Sequence, residues 1–256
     1  MTKRPLNDTR LIFNEKKHEY YLKSKIGNGD QQLGRTPRGK TILTPVTTFV
    51  KSFFRPFNEK EIAVRVAMGR KYSGVDPKCT MRKVLSEWKA IAADGTKVHK
   101  EIEEILQGNP KSDSVDLRTV RGIDALYSNI EKDFKPLRRY PELRVYSEAW
   151  KIAGTIDLLL IDELGRFVIV DWKTNRTLRF EGDPITDGPI KGLMECNFDV
   201  YQLQLSTYAA LLEREYGLQC NGLFVVHLTN DSTKVIPVDY KKSIVTKMVE
   251  SWQNKK

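Results

Sequence analysis

Apolar positions recur three and four residues apart from Met81 to about Leu106 (Val84, Leu85, Trp88, Ile91, Ala92), which predicts a helix capped by Thr80. Gly95 marks a point where that helix breaks or kinks. Leu117–Phe134 carries a second helical pattern. The period then changes, and Leu143–Ala149, Thr155–Ile161 and Phe167–Lys173 read as three strands. A helix over Val200–Tyr216, a strand over Gly222–Leu228 and a helix over Lys241–Gln253 follow. Upstream, Arg10–Phe13 and His18–Leu22 flank a polar Asn14–Lys17 turn and read as a short hairpin. Glycine-rich residues 23–41 read as a loop, and Thr44–Phe54 as a helix with Pro45 tolerated in its first turn. This order predicts an α/β fold: a central mixed β-sheet flanked by helices over 80–256, preceded by a basic, mainly helical region over 1–79.

Composition narrows the class. The 256 residues are 40% hydrophobic and 30% charged, which suits a soluble globular chain and excludes a disordered tail. No run reaches the roughly 18 apolar residues of a membrane span, so no membrane partner is expected. Met1–Pro5 lacks the apolar core of a signal peptide, so the chain is expected to stay inside the cell, whether a host or a virus encodes it. Three cysteines (Cys79, Cys196, Cys220) without a C-x-x-C pair argue against a disulfide scaffold and a four-cysteine metal site.

Charge is unevenly spread. Residues 1–100 hold 22 basic and 9 acidic side chains, whereas the rest of the chain is slightly acidic, within a total of +10. Basic residues stand beside aromatics at Lys16, Lys17, Tyr20 and Tyr21, and again at Lys51, Phe53, Phe54 and Arg55. A polyanion with stackable bases fits such a surface, and so does a plain solvated basic face.

The densest chemical signal is Gly154–Ile161, a turn at Asp162–Arg166, and Phe167–Lys173. A symmetric five-residue turn centred on Leu164 pairs positions whose numbers add to 328. Asp157 then faces Asp171, with Cβ atoms roughly 4.5–5.5 Å apart. Lys173 shares the face of Asp171, because side chains alternate along a strand. Facing carboxylates in apolar strands repel each other and lose hydration. A hard divalent cation compensates for this, and an Asp–Lys pair that only fixes register is the alternative.

These residues resemble the PD-(D/E)XK nuclease superfamily, and in particular its RecB-like branch, which includes mitochondrial genome maintenance and phage exonucleases. Gly154-Thr155-Ile156-Asp157 matches the first acidic motif and Asp171-Trp172-Lys173 the (D/E)-x-K motif. Gly95-Thr96-Lys97-Val98-His99 with Glu103 resembles the branch's histidine helix, and Gln204 with Tyr208 its Q-x-x-x-Y helix. Ile156 stands where the motif's first letter calls for proline. The resemblance implies a restriction-endonuclease-like core and Mg²⁺- or Mn²⁺-dependent cleavage of DNA, by exonuclease rather than endonuclease action. It implies metal binding by Asp157, Asp171, His99 and the Trp172 carbonyl, with Lys173 as catalytic lysine. Glu103 becomes a partner for His99, or simply an i,i+4 neighbour. Glu148 either completes the acidic cluster or faces solvent. Gln204 and Tyr208 either support the site or pack their helix. Lys51, Arg55, Asn175, Arg176 and Arg179 are expected to hold the DNA strand. A recombination or replication protein is an expected partner, and no iron–sulfur cluster is implied.

Two other readings compete. Gly34–Thr41 fits G-x-x-x-x-G-K-[ST], but a phosphate-cradling loop needs a buried strand before it and a helix at its Lys-Thr end, and Pro45 disfavours that helix. A non-catalytic nucleic-acid-binding protein would have no need of two facing acids beside a lysine.

Overall fold

The computed structural model describes residues 4–6, 8–15, 17, 19–23, 41–69, 77–111 and 114–254. In chain order the elements are β1 (Leu11–Asn14), β2 (Glu19–Leu22), β3 (Thr41–Pro45), α1 (Val46–Lys51), α2 (Glu59–Ala67), α3 (Pro77–Leu106) and α4 (Leu117–Ala125). There follow β4 (Arg138–Ser147), β5 (Ile152–Ile161), β6 (Arg166–Lys173), α5 (Asn197–Leu211), β7 (Gln219–Leu228), β8 (Thr233–Pro237) and α6 (Lys242–Asn254). Helices α4 and α5 each run on into a π-helical turn, at Leu126–Glu131 and Leu212–Tyr216. Before residue 79 the described residues hold three short strands besides helices. Lys16, His18 and Gly34–Lys40 lie outside the described residues, but Thr41 opens a strand and not a helix. The helix end on which a phosphate-cradling loop depends is therefore missing at Thr41.

All eight strands form one mixed sheet. Its order is β1-β2-β3-β5-β6-β7-β8, with β4 also paired to β5. The β3–β5 and β6–β7 pairs are parallel and the others antiparallel. Side chains of α1, α5 and α6 (Phe49, Leu203, Ala209, Met248) pack on one face. Those of α3 and α4 (Val98, Ile102, Ala125), with Leu126 and Ile130 of the turn after α4, pack on the other. Because both faces are covered, β5 and β6 are apolar almost without interruption, as central strands of layered α/β sheets are. Leu158, Leu159, Leu160, Phe167 and Val170 are completely buried. Each stabilises the sheet by about 1.5–3 kcal/mol, which offsets the cost of placing Asp157 within β5 and Asp171 near the end of β6.

Helix α3 runs unbroken through Gly95. The glycine is there for a close approach: a Cβ at this buried position would run into Thr174 Oγ1, just beyond β6. Ile91, assigned to the apolar stripe by its spacing, is 48% exposed and lines a cleft described below. Gly95→Ala should gain up to about 1 kcal/mol of helix propensity yet displace Thr174 beside Lys173. We expect a melting temperature near wild type with clearly shifted amide resonances at Thr174 and Lys173. Unchanged resonances there would show that the Thr174 approach is unimportant.

One feature of β5 creates the site. Strand β4 lines one edge of β5 along its whole length. Strands β3 and β6 share the other edge, β3 at Ile152–Ala153 and β6 at Leu158–Ile161. They diverge, leaving Gly154–Asp157 without a strand partner on that side. Tyr208 of α5 packs into this gap, where a Cβ on Gly154 would lie 2.6 Å from its Oη and 2.8 Å from its Cε1.

Candidate metal centre

Strands β5 and β6 pair from Leu158↔Val170 to Ile161↔Phe167, in the register that the five-residue turn dictates. One step further the ladder gives way to a side-chain bond. The Trp172 N–H donates to Asp157 Oδ2 at 3.0 Å, so Asp157 is oriented by the backbone of the (D/E)-x-K segment. Asp171, only 3% exposed, lies alongside. Its Oδ1 accepts from Gln204 Nε2 at 3.2 Å, and its Oδ2 contacts the Lys173 ammonium without a well-directed hydrogen bond. From the opposite layer, α3 brings His99 Nδ1 to 3.4 Å from Asp157 Oδ2. His99, Asp157, Asp171, Lys173 and Gln204 thus converge from α3, β5, β6 and α5.

The remaining expected residues fall elsewhere. Glu148 stands in the turn after β4, against Arg4 at 3.6 Å and Arg10 at 3.4 Å. It braces the N-terminal segment there and takes no place in the cluster. Glu103 accepts from Gln107 at 2.9 Å, one turn along its own helix, and makes no bond to His99. Tyr208 packs on Gly154 one turn from Gln204, its hydroxyl deeply buried. Arg55 is bound by Asp183 at 2.6 Å and lies 3.9 Å from Glu195, so acids already offset its charge. The Asn175 side chain accepts from Tyr201 Oη and donates to Thr177 O, which holds the segment after β6. Lys51, Arg176 and Arg179 are exposed.

Two residues near the cluster were not anticipated. The Tyr201 ring lies 4.7 Å from Lys173 Nζ, a cation–π contact that adds a second hold on the ammonium besides Asp171. Tyr201 precedes Gln204 by three positions on α5, so helical spacing carried the signal. The second is Glu142. Pairs Pro141↔Leu158 and Leu143↔Ile156 flank it, so it stands opposite Asp157 on the side away from β6. The same pairing arithmetic, applied to the β4–β5 hairpin, would have found it. Ligand atoms of His99, Glu142 and Asp157 lie within 4.8 Å of one another.

Negative charge is in excess at this place. Burial, and then the Asp157 carboxylate, push the Glu142 carboxyl up to about 8. Burial also raises Asp171, against the pull of Lys173. Burial opposes the charge on Lys173, but Asp171 and Asp157 outweigh it and raise its pKa. An oxygen-rich donor set with one imidazole, crowded carboxylates and an Asp171 oxygen lacking a directed donor all suit a hard divalent cation.

A pH dependence follows in chelator. Between about pH 4.5 and 8 the folded chain keeps a proton on Glu142 that the unfolded chain has released. Stability should therefore fall as pH rises through that window, by up to about 1.4 kcal/mol per pH unit, and Asp171 adds to the same trend. Urea midpoints at pH 5 and pH 8 test this. Glu142→Gln should flatten the slope, and an unchanged slope would contradict the assignment.

A cleft of about 890 Å³ opens at Thr174, just past the end of β6, and the aspartates are not part of its lining. Its wall includes Ile91, Phe180 and Ile236, and its polar lining holds Thr174, Arg176, Ser232 and Lys234 together with the acids Asp94 and Asp231. Neither Arg176 nor Lys234 has an acidic partner among the described residues, whereas Arg118 is neutralised by Asp94 and Asp116. The cleft begins one residue beyond Lys173, with His227 of β7 level with the lysine in register. No helix among the described residues is long and apolar enough to cross a membrane.

Comparisons with known proteins bear on what this centre is. Curated proteins give no match. Among solved structures, a protein from Eubacterium rectale, provisionally described as an exonuclease, is similar at 14% identity with a TM-score of 0.38. The alignment covers 63% of this chain and 65% of that one, so the present chain spans less than two thirds of its length. SSO0001 is similar at 15% identity with a TM-score of 0.33, covering 83% of this chain and 75% of its own. Likenesses this distant carry no argument by themselves. A family model does: that of the PD-(D/E)XK nuclease superfamily matches residues 85–254, which hold every residue of the converging cluster. That span takes in both aspartates and Lys173, and the chain belongs to the PD-(D/E)XK nuclease superfamily.

Proposed function

We propose that the protein is a divalent-metal-dependent deoxyribonuclease of the RecB-like branch, acting as an exonuclease. The observation that carries this reading is the convergence of His99, Asp157, Asp171 and Lys173 at the point where β5 and β6 part. Asp157, Asp171, His99 and the Trp172 carbonyl would hold Mg²⁺ or Mn²⁺. When bound, such an ion supplies a Lewis acid for the phosphoryl group and an acidified water. Lys173, held by Asp171 and by the Tyr201 ring, is placed to orient a water or offset charge developing on phosphate oxygens. Gln204 holds Asp171 from α5, and the Trp172 N–H holds Asp157, so both carboxylates are set before substrate arrives.

The cleft beside Lys173 supports a nucleic-acid substrate. Its volume suits a nucleotide, Phe180 offers a face for a base, and Arg176 and Lys234 offer charge for phosphate. Lys51 and Arg179 add exposed positive charge elsewhere on the surface. A recombination or replication protein would be a natural companion for such an enzyme.

The test is incubation with 5′- and 3′-labelled single- and double-stranded DNA, with Mg²⁺, Mn²⁺ or chelator. An exonuclease releases label progressively from one end, only with metal. Internal fragments would point to an endonuclease, and persistent inactivity on every substrate with both metals would overturn the reading. DNA binding should also weaken steeply between low and moderate salt, as phosphate contacts require.

A further inference from the structure

We propose that Arg144 of β4 binds a backbone phosphate of the substrate strand, about one nucleotide step from Asp157, and that the Phe13 ring holds it ready to do so. This rests on the nuclease reading and adds a contact from outside the sequence motifs. It lies on the β4 side of Asp157, whereas the cleft at Thr174 lies past the end of β6.

Strand register fixes where Arg144 stands. It pairs with Thr155, two residues before Asp157 on β5, so side-chain alternation puts Arg144, Thr155 and Asp157 on one face of the sheet. His99 of α3 reaches Asp157 on that face, and Arg144 therefore shares it with the metal centre. Two residues of strand span roughly 6–7 Å, the scale of one nucleotide along a backbone. Arg144 is exposed, while its neighbours Leu143 and Val145 are buried in the core on the other face. Among the described residues no acid forms an ion pair with it, whereas Arg4, Arg10, Arg118 and Arg139 are each paired with one. Glu142, two residues along β4, acts on it only through space.

The guanidinium is also supported from beneath. It lies 5.8 Å from the Phe13 ring centroid, within cation–π range. Phe13 stacks on Tyr20, with centroids 4.5 Å apart and 28° between the planes. Tyr20 is 4% exposed, and its hydroxyl meets Thr155 Oγ1 at 2.8 Å, which leads back to the residue opposite Arg144. Strands β1, β2, β4 and β5 thus close a ring of contacts around one exposed cation. A solvated surface arginine needs no such support. Orienting the fork before a ligand arrives lowers the entropy cost of using it, and its planar donors suit two phosphate oxygens. The need is electrostatic: the carboxylates of the centre repel every phosphate except the one that a metal receives. A cation one step away offsets that repulsion for the neighbouring phosphate.

Steady-state cleavage with Mn²⁺, and DNA binding in chelator over a range of salt, test this on wild type and Arg144→Gln. We expect KM to rise about tenfold with kcat within twofold, and the salt slope of binding to fall by about 1. Arg144→Lys keeps the charge without the fork, so it should keep the slope and recover part of the KM. Phe13→Leu should raise KM about threefold in wild type and add nothing to Arg144→Gln; an additive effect would overturn its supporting role. A single neutral methylphosphonate linkage, moved one position at a time from the strand end, locates the contact. At one position it should cost wild type about tenfold in KM and Arg144→Gln nothing further. Equal costs to both proteins at every position, or a KM and slope like wild type in Arg144→Gln, would overturn the proposal and leave the nuclease reading standing. A fall in kcat with KM unchanged would also overturn it, by showing that Arg144 only balances Glu142. A wild-type chain that neither binds nor cleaves DNA would overturn both.

Discussion

Replacing Asp157 with asparagine is expected to lower metal-dependent cleavage by about 10³-fold or more while making the metal-free protein more stable. Asp157 links several parts of the centre: it accepts from the Trp172 N–H, faces His99 and stands across from Glu142. Transition-state charge stabilisation by a bound metal amounts to several kcal/mol, and each 1.36 kcal/mol is tenfold in rate. Asparagine keeps an oxygen for the Trp172 amide but loses the charge, so orientation survives and metal affinity does not. Removing one of three crowded carboxylates relieves repulsion, by about 1 kcal/mol or more where the groups are buried. Single-turnover cleavage and thermal melting in chelator measure the two effects. A variant that lost stability together with activity would show Asp157 to be structural.

The second large effect is expected at Lys173. Lys173→Ala should reduce cleavage by about 10²–10³-fold, the usual cost of losing one preorganised charge partner of a transition state. Mn²⁺ binding should persist, since Asp157, Asp171 and His99 remain. Stability should respond to pH. Without the lysine, Asp171 keeps a raised pKa and no cation offsets its charge, so the folded chain retains a proton that the unfolded chain loses. The melting deficit relative to wild type should thus be larger at pH 8 than at pH 5. Breaking a buried pair costs about 3–5 kcal/mol when the survivor stays charged, and less when it can protonate. Equal deficits at the two pH values would mean that Lys173 does not govern the charge on Asp171.

Much of this was legible in the sequence because the β5–β6 turn is short. Five residues fix the register, the register fixes what faces what, and Leu158↔Val170 pairs as the arithmetic required. Gln204, singled out by its resemblance to a Q-x-x-x-Y helix with site support and helix packing both open, reaches Asp171 from α5. The elements missed lack such internal signals. Strand β3 has five residues and ends in proline, and it exists because β2 and β5 offer it edges. Strand β8, an edge strand also ending in proline, is similar. Helix α2 is short and largely exposed, though Asn58 accepting from the Glu61 amide is a cap that the sequence does announce. Gly95 looked like a helix breaker because sequence shows a missing side chain but not the Thr174 hydroxyl that needs the space. Glu142 was passed over for Glu148 because the β4–β5 turn is less clearly bounded, and a register error of one residue reverses the face.

The central claim is that Asp157 and Asp171 meet to hold a cation where DNA is cut. Anomalous diffraction from crystals equilibrated with Mn²⁺, checked by cleavage with the same preparation, tests it most directly. A peak bonded to both aspartates and the Trp172 carbonyl, absent in Asp157→Asn, is expected. Active protein whose crystals show no peak at either aspartate, or a peak unchanged by that substitution, would contradict it.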